Sequence, residues 1–239
     1  MSSLPMGNTQ APSDRDIGAS VNFYPLVGAV LGLILSAVAV SFMQVFGSVL
    51  SAALILAVWV YLTGALHIDG LADSADAWIG GLGSKERTLS LMKDPTSGPF
   101  AIVTLLLVLF VKLAAIEALL NNGHNLILVW PLVIARLSVM ILFATTPNAR
   151  STGLGEAIST YLSRDKVFMI CGATLLISLV MLQWLIIPSI FLASIGFVYL
   201  RLKMMKRIDG CTGDTAGALI EITEVLVLLG LVAALGLGL

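Results

Sequence analysis

Charge is what this sequence has least of. Only 11% of its 239 residues are Asp, Glu, Lys or Arg, about half of the ~25% usual in a soluble domain. Beside 58% hydrophobic residues, that scarcity excludes an ordinary soluble domain. It also excludes disorder, which needs a polar chain rich in charge. Thirteen Lys and Arg against 14 Asp and Glu leave a net charge of −1, so the basic excess of a nucleic-acid binder is missing and no nucleic-acid partner is expected. The two cysteines, Cys171 and Cys211, are too few for a disulfide scaffold and fit no metal spacing. They read as packing residues. The polar first 22 residues lack the basic and apolar regions of a signal peptide.

Long apolar runs are what the chain has in their place. A membrane helix needs ~20 apolar residues, and the apolar stretches divide into seven runs, the sixth of them shorter: residues 24–46, 49–66, 99–120, 125–146, 167–187, 188–202 and 215 to the C-terminus. The fifth and sixth form a hairpin with Pro188 near its bend. The expected fold is therefore all-α and polytopic, with about seven transmembrane helices. It is read as a single integral membrane domain over 1–239, with 1–22 a polar N-terminal segment. Lys and Arg favour the cytoplasmic side. Eleven of the 13 fall on one side: Arg15; Lys85, Arg87 and Lys93; Arg150, Arg164 and Lys166; Arg201, Lys203, Lys206 and Arg207. The remaining two, Lys112 and Arg136, lie inside runs. This predicts a multi-pass protein of the cytoplasmic (inner) membrane, its N-terminus and acidic loops cytoplasmic and its C-terminus outside.

Three polar segments carry the chemistry. The first, TGALHIDGLADSADAWIGG, holds Asp69, Asp73 and Asp76 at i, i+4, i+7, within about 60° of one another on a helix. Like charges so spaced repel, and an Asp in hydrocarbon costs roughly 2.5–3.5 kcal/mol. A divalent cation removes both penalties, and oxygen ligands favour Mg²⁺, Mn²⁺ or Ca²⁺ over Zn²⁺. The plainer alternative is an acidic interfacial helix facing water. His67 lies on the opposite side of that helix; by spacing alone it is a structural histidine before it is a ligand or base. Further on, Asp94 is either another ligand or the N-cap of a helix starting at Pro95. The second segment, PNARSTGLG, sets Arg150 beside Ser151, Thr152 and Gly153, a group suited to a phosphate or simply a turn with a positive anchor. An interfacial helix is expected over 155–163. The third, RIDGCTGDTAGALIEITEVLVLL, opens a helix with a glycine-rich acidic turn around Asp214. Such turns bind phosphates or metals. Asp214, Glu221 and Glu224 share one face, and acids inside a run mark a functional cavity or a buried partner. Counted from the run ends, Arg136 lies ~15 Å deep and Glu221 and Glu224 ~9 and ~13 Å deep. A pair between Arg136 and Glu224, or next Glu221, is expected.

Taken together, the segments FYPLVGAVLG, TGALHIDGLADSADAWIGG, SLMKDPTSGPFA, PNARSTGLG and DGCTGDTAGALIEITEVLVLL resemble the cobalamin synthase (adenosylcobinamide-GDP ribazoletransferase) family over residues 23–229. Two departures stand out: part of an apolar N-terminal stretch common in the family is missing, and Cys211 occupies a place where glycine or a polar residue is usual. The second suggests that the backbone matters there. The resemblance implies an Mg²⁺-dependent membrane transferase. A hydroxyl of α-ribazole, or of its 5′-phosphate, attacks the cobinamide-linked phosphate of adenosylcobinamide-GDP and releases GMP. It implies Asp69, Asp73 and Asp76, with Asp94 and Asp214, as the metal ligands. Lys93, Asn148, Arg150, Thr212 and Gly213 become substrate contacts, and His67 or Asp76 the proton acceptor. Partners are the two substrates and the lipid bilayer, with a homo-oligomer left open. A CDP-alcohol phosphotransferase fits less well, because Asp69-Gly70-Leu71-Ala72 continues with Asp73 and not with Arg. A transporter would use the charges inside the runs, yet the acids and glycines gather at one face.

Overall fold

The computed structural model describes residues 13–94, 96–150 and 154–236. Among them the named elements are helices: α1 (Asp14–Ser20), α2 (Tyr24–Val45), α3 (Ser48–Leu62), α4 (Leu66–Gly80), α5 (Lys85–Leu91), α6 (Pro99–Asn121), α7 (Val129–Thr145), α8 (Leu154–Tyr161), α9 (Arg164–Leu182), α10 (Ile187–Ile208) and α11 (Gly213–Ala234), with short 3₁₀ turns before α2, α7 and α10. Ser151, Thr152 and Gly153 of the expected phosphate loop, Pro95, and the C-terminal residue lie outside the described residues.

Composition dictates the layering. Helices that are apolar all round belong in a core or a membrane. Here α7 and α11 are buried over most of their circumference and form the centre. Around them α2, α6, α9 and α10 turn large apolar side chains outward, among them Leu107, Phe110, Leu176 and Phe191. An apolar surface of that extent requires a lipid solvent.

Five helical stretches are long and apolar enough to cross a membrane, and the bent α3–α4 pair makes a sixth. One of the five is the 45-residue stretch Arg164–Ile208, which doubles back. Near its end Arg201 donates to the Thr145 carbonyl (2.7 Å) and the Thr146 hydroxyl (3.0 Å). Arg164, at its start, lines a small cavity with the same two threonines. A straight helix would separate Arg164 from Arg201 by ~56 Å. The turn falls at Gln183, with φ of 53°. The expected hairpin is therefore present, and the total comes to about seven passes.

The second apolar run differs from expectation. The sequence predicts one span over 49–66, but α3 ends at Leu62 and the chain turns by 87° into α4. Gly64 and Ala65, both at positive φ (63° and 56°), make the corner. The physical reason lies just beyond it: a helix carrying three aspartates cannot continue into hydrocarbon. So α3 is the crossing segment, and α4 runs along the end of the bundle where the basic residues gather. Two short helices cover the same end. The polar N-terminal segment forms α1, whose Ser13 and Asp16 make a reciprocal capping box. The expected interfacial helix is α8, and α1 packs on it so closely that Gly18 meets Tyr161 with no room for a Cβ.

Candidate active site

The site is organised by the crossing of α4 over the start of α11. A Cβ on Gly70 would sit 2.7 Å from the Asp214 carbonyl oxygen, so only glycine allows the two backbones this close. That contact sets the α4 carboxylates beside the Thr212–Gly213–Asp214 turn. The turn itself is a reciprocal cap: Thr212 Oγ1 accepts from the Thr215 amide and the Thr215 hydroxyl from the Thr212 amide. The second polar segment is clipped on by backbone alone. The Cys211 amide donates to the Pro147 carbonyl (2.9 Å), and the Ala149 amide donates to the Cys211 carbonyl (2.8 Å). Gly210 is required here too, because its Cβ would lie 2.4 Å from the Pro147 oxygen. Cys211 thus contributes main chain, and burial pushes its thiol up to about 11.

This clip delivers Arg150 to the carboxylates. Its Nη2 donates to Asp214 Oδ2 at 2.9 Å, while Asn148 holds the loop by donating to the Arg150 carbonyl. Asp73 is pushed up to about 6, first by partial burial and then by the neighbouring charges of Asp69, Asp214 and Asp76, with Arg150 pulling the other way. Asp73 therefore feels three neighbouring carboxylates against a single guanidinium. That imbalance, with donors that are all oxygen, suits a hard divalent cation. Among the described residues no group of three or more His, Cys, Asp or Glu stands ready around one metal position. Two side chains account for this. Asp214 is turned to Arg150. Asp76 accepts from the Gly98 and Ala101 amides, capping the N-terminus of α6 from a neighbouring helix.

That cap corrects one expectation. Asp94 does not cap a helix at Pro95, since α6 begins four residues later at Pro99. Asp94 is exposed, accepts from the Thr96 amide and hydroxyl, and is not brought among the four carboxylates. Lys93 is also exposed, on a loop pinned at both ends of the site: Met92 touches the Thr212 hydroxyl, and Gly98 meets Asp76.

Behind α4 lies a cavity of about 620 Å³, walled by α2, α7 and α11 and roofed by α1 and α8. Asn148, Thr212 and Gly213 line it, as does His67. His67 lies on the far side of α4 from the aspartates, as the helical spacing requires. Its side chain is buried and Nδ1 has no partner. Burial, and next the Arg136 guanidinium, push it down to about 3, with Glu224 opposing, so the imidazole is neutral.

Deeper in the bundle the charges within the spans meet one another. Arg136 donates to Glu224, and Lys112 Nζ donates to both Glu224 and Glu221 (3.0 Å to the latter). All four are almost completely buried. Two cations and two anions cancel there, so the charges a transporter reading would use are spent on one another. Lys112, stacked 4.2 Å over Trp59, is a member the sequence pairing left out; its position well inside an apolar run was the available signal. Also missed was Arg207, which donates to the Trp78 and Gly81 carbonyls and caps the C-terminus of α4. The roof of the cavity was missed as well. Ile17 and Ile158, which face the cavity from α1 and α8, were legible only as apolar positions on two short polar segments.

The sequence profile of the family described as cobalamin-5-phosphate synthase matches residues 1–232. A Pseudomonas fluorescens (strain Pf0-1) protein named adenosylcobinamide-GDP ribazoletransferase is 46% identical over 231 residues, covering 97% of this chain and 95% of its own. A Pseudomonas putida (strain W619) protein of the same name is 46% identical over 234 residues, covering 98% and 96%. No solved structure matches. A match along nearly the whole chain, together with helices that need lipid around them, means that this chain belongs to the cobalamin-5-phosphate synthase family and is a membrane enzyme.

Proposed function

We propose that the chain transfers the cobinamide phosphate of adenosylcobinamide-GDP to α-ribazole or its 5′-phosphate, in the last steps of cobalamin synthesis. The observation that carries this reading is the gathering of Asp69, Asp73 and Asp214 with Arg150 beside the α4–α11 crossing. A diphosphate can be split there only if its charge is neutralised. Mg²⁺ bound by Asp69, Asp73 and Asp214 would supply that neutralisation and polarise the phosphate under attack.

The acceptor's ribose hydroxyl oxygen forms a new bond to the cobinamide-linked phosphorus. The bond from that phosphorus to the bridging oxygen breaks, and GMP leaves with the bridging oxygen and its electron pair. The hydroxyl proton passes to a base. His67 suits this better than Asp76: the imidazole is neutral and lines the cavity, whereas both Asp76 oxygens already accept amides. Arg150 and Lys93 hold the phosphates, and Asn148, Thr212 and Gly213 shape the wall beside them. In the cell, the basic end carrying this site faces the cytoplasm across the inner membrane.

The test is GMP release by the detergent-solubilised full chain, with adenosylcobinamide-GDP, ribazole and Mg²⁺. Chelation should abolish release and added Mg²⁺ should restore it. Asp73→Asn, which keeps the shape and removes the charge, should lower the rate at least about a hundredfold, or ~2.7 kcal/mol in the barrier. Release that persists after chelation, or near-normal Asp73→Asn activity at limiting Mg²⁺, overturns the metal assignment. No release from the wild type overturns the reaction.

A further inference from the structure

The cavity behind α4 has a chemical character that separates one substrate from the other. We infer that it houses the aromatic base of the acceptor nucleoside, with the sugar at the end where His67, Thr212 and Gly213 meet and the donor outside. The inference rests on the functional reading above and names which substrate enters where.

Size gives the first argument. About 620 Å³ lies within the ~300–1,000 Å³ of pockets that enclose small ligands. A nucleoside fits such a space. A corrin ring with its amide arms and adenosyl group does not, so only the guanosine end of the donor could compete.

Polarity decides between guanosine and ribazole. Most polar side chains in the wall already make one hydrogen bond within the protein. Ser20 donates to the Ile17 carbonyl, and Ser159 to that of Glu156. Thr146 accepts from Arg201, and Asn148 is bound to the Arg150 backbone. Thr212 caps α11. Among the described wall residues, His67 Nδ1 is the buried side-chain nitrogen or oxygen without a partner. Guanine carries a carbonyl, a ring N–H and an amino group along one edge. A wall dominated by apolar residues such as Val27, Phe143, Ile158, Ala216 and Ile220 offers that edge few partners, and each of its groups left unpaired costs kilocalories. A dimethylated benzimidazole offers a flat apolar face and only one free ring nitrogen. The sugar then lies at the end of the cavity that His67 lines. Its hydroxyl comes to the wall formed by Thr212 and Gly213, next in sequence to Asp214 and on the path to the phosphate.

The experiment fills the cavity from opposite walls with Ala216→Phe and Ile158→Trp, and reads both substrates separately in the solubilised full chain. Each variant should raise KM for ribazole at least tenfold and leave KM for adenosylcobinamide-GDP within twofold. Direct binding of radiolabelled ribazole, with no donor present, should weaken in parallel. A rise in donor KM with ribazole unchanged would assign the cavity to guanosine and overturn the inference. Both constants unchanged, in variants that melt like the wild type, would also overturn it. If either variant fails to fold, a diazirine derivative of ribazole is photolysed on the wild-type protein. Crosslinks should map to the peptides containing Ile158 and Ala216, and crosslinks only elsewhere refute the inference. If the wild type releases no GMP, the reaction itself is wrong, and the binding and crosslinking arms still decide the occupant.

Discussion

Replacing Glu224 by Gln tests how the bundle beneath the site is held. The change keeps the shape and removes one charge from a cluster that is otherwise neutral. Glu224 accepts from both Arg136 and Lys112, whereas Glu221 is paired with Lys112 alone. After the substitution two buried cations share one carboxylate, and Arg136 has lost the carboxylate it was paired with. Breaking a buried pair from one side costs roughly 3–5 kcal/mol, and a chain of this length loses about 2–4 °C of Tm per kcal/mol. We therefore expect the detergent-solubilised variant to melt roughly 10 °C below the wild type. Glu221→Gln should do less, because Glu224 still bridges both cations. The double variant Arg136→Gln with Glu224→Gln removes one charge of each sign and leaves the Lys112–Glu221 pair. It should be less destabilised than the sum of its parts, with a coupling of about 0.5–3 kcal/mol. A Glu224→Gln variant melting within about 2 °C of the wild type, or a double variant that is simply additive, would refute the clamp.

Gly70→Val should push the start of α11 off α4, because a Cβ there would sit 2.7 Å from the Asp214 oxygen; we expect about 1–3 kcal/mol of destabilisation and a larger loss of GMP release, and unchanged kinetics would show that the crossing does not position the site. Asp76→Ala should cost about 0.5–2 kcal/mol of thermal stability through the lost cap on α6, whereas Asp73→Asn should leave the Tm near that of the wild type; equal melting of the two would remove the distinction between cap and ligand. For orientation, Gly83→Cys and Gly123→Cys are each treated with an impermeant maleimide on intact spheroplasts. The native thiols are buried, so Gly123→Cys should label at once and Gly83→Cys only after permeabilisation, and the reverse pattern would invert the membrane orientation.

The helices themselves were legible because their signal is coarse. A strongly apolar run of about 20 residues has few alternatives to a membrane helix, and α6, α7 and α11 begin and end within a few residues of where the hydrophobic runs do. The meeting of Arg136 with Glu224 was legible from depth alone, since each residue rises 1.5 Å along a helix and unpaired charges in hydrocarbon are costly. Depth along one axis says nothing about rotation around it. That is why Lys112, at a comparable depth on α6, was not placed in the cluster. The corner at Gly64 and Ala65 was hidden for a different reason. Apolar residues continue to Leu66, and a positive φ at an alanine leaves no trace in composition.

Why three segments so far apart in sequence make one site follows from how little side-chain chemistry holds them. Arg150 reaches Asp214 because the Pro147–Ala149 backbone pairs with that of Cys211, and α4 reaches α11 because Gly70 has no side chain. Both joints use main chain and small residues. The charged side chains are thereby left largely to one another and to what binds between them. Asp76 is the exception, since it is spent on the start of α6, and that exception has a use. The cap fixes the far end of the Asp69–Asp76 stripe to a membrane-crossing helix, while Gly70 fixes its near end to α11. Asp69 and Asp73 lie between two anchored points. The helix itself keeps their carboxylates one turn apart, and the two anchors keep both on the side of Asp214 despite the repulsion. A site built this way stores its charge where a cation and a diphosphate can relieve it, and the packing of α4 on α11 keeps the α4 carboxylates beside Asp214.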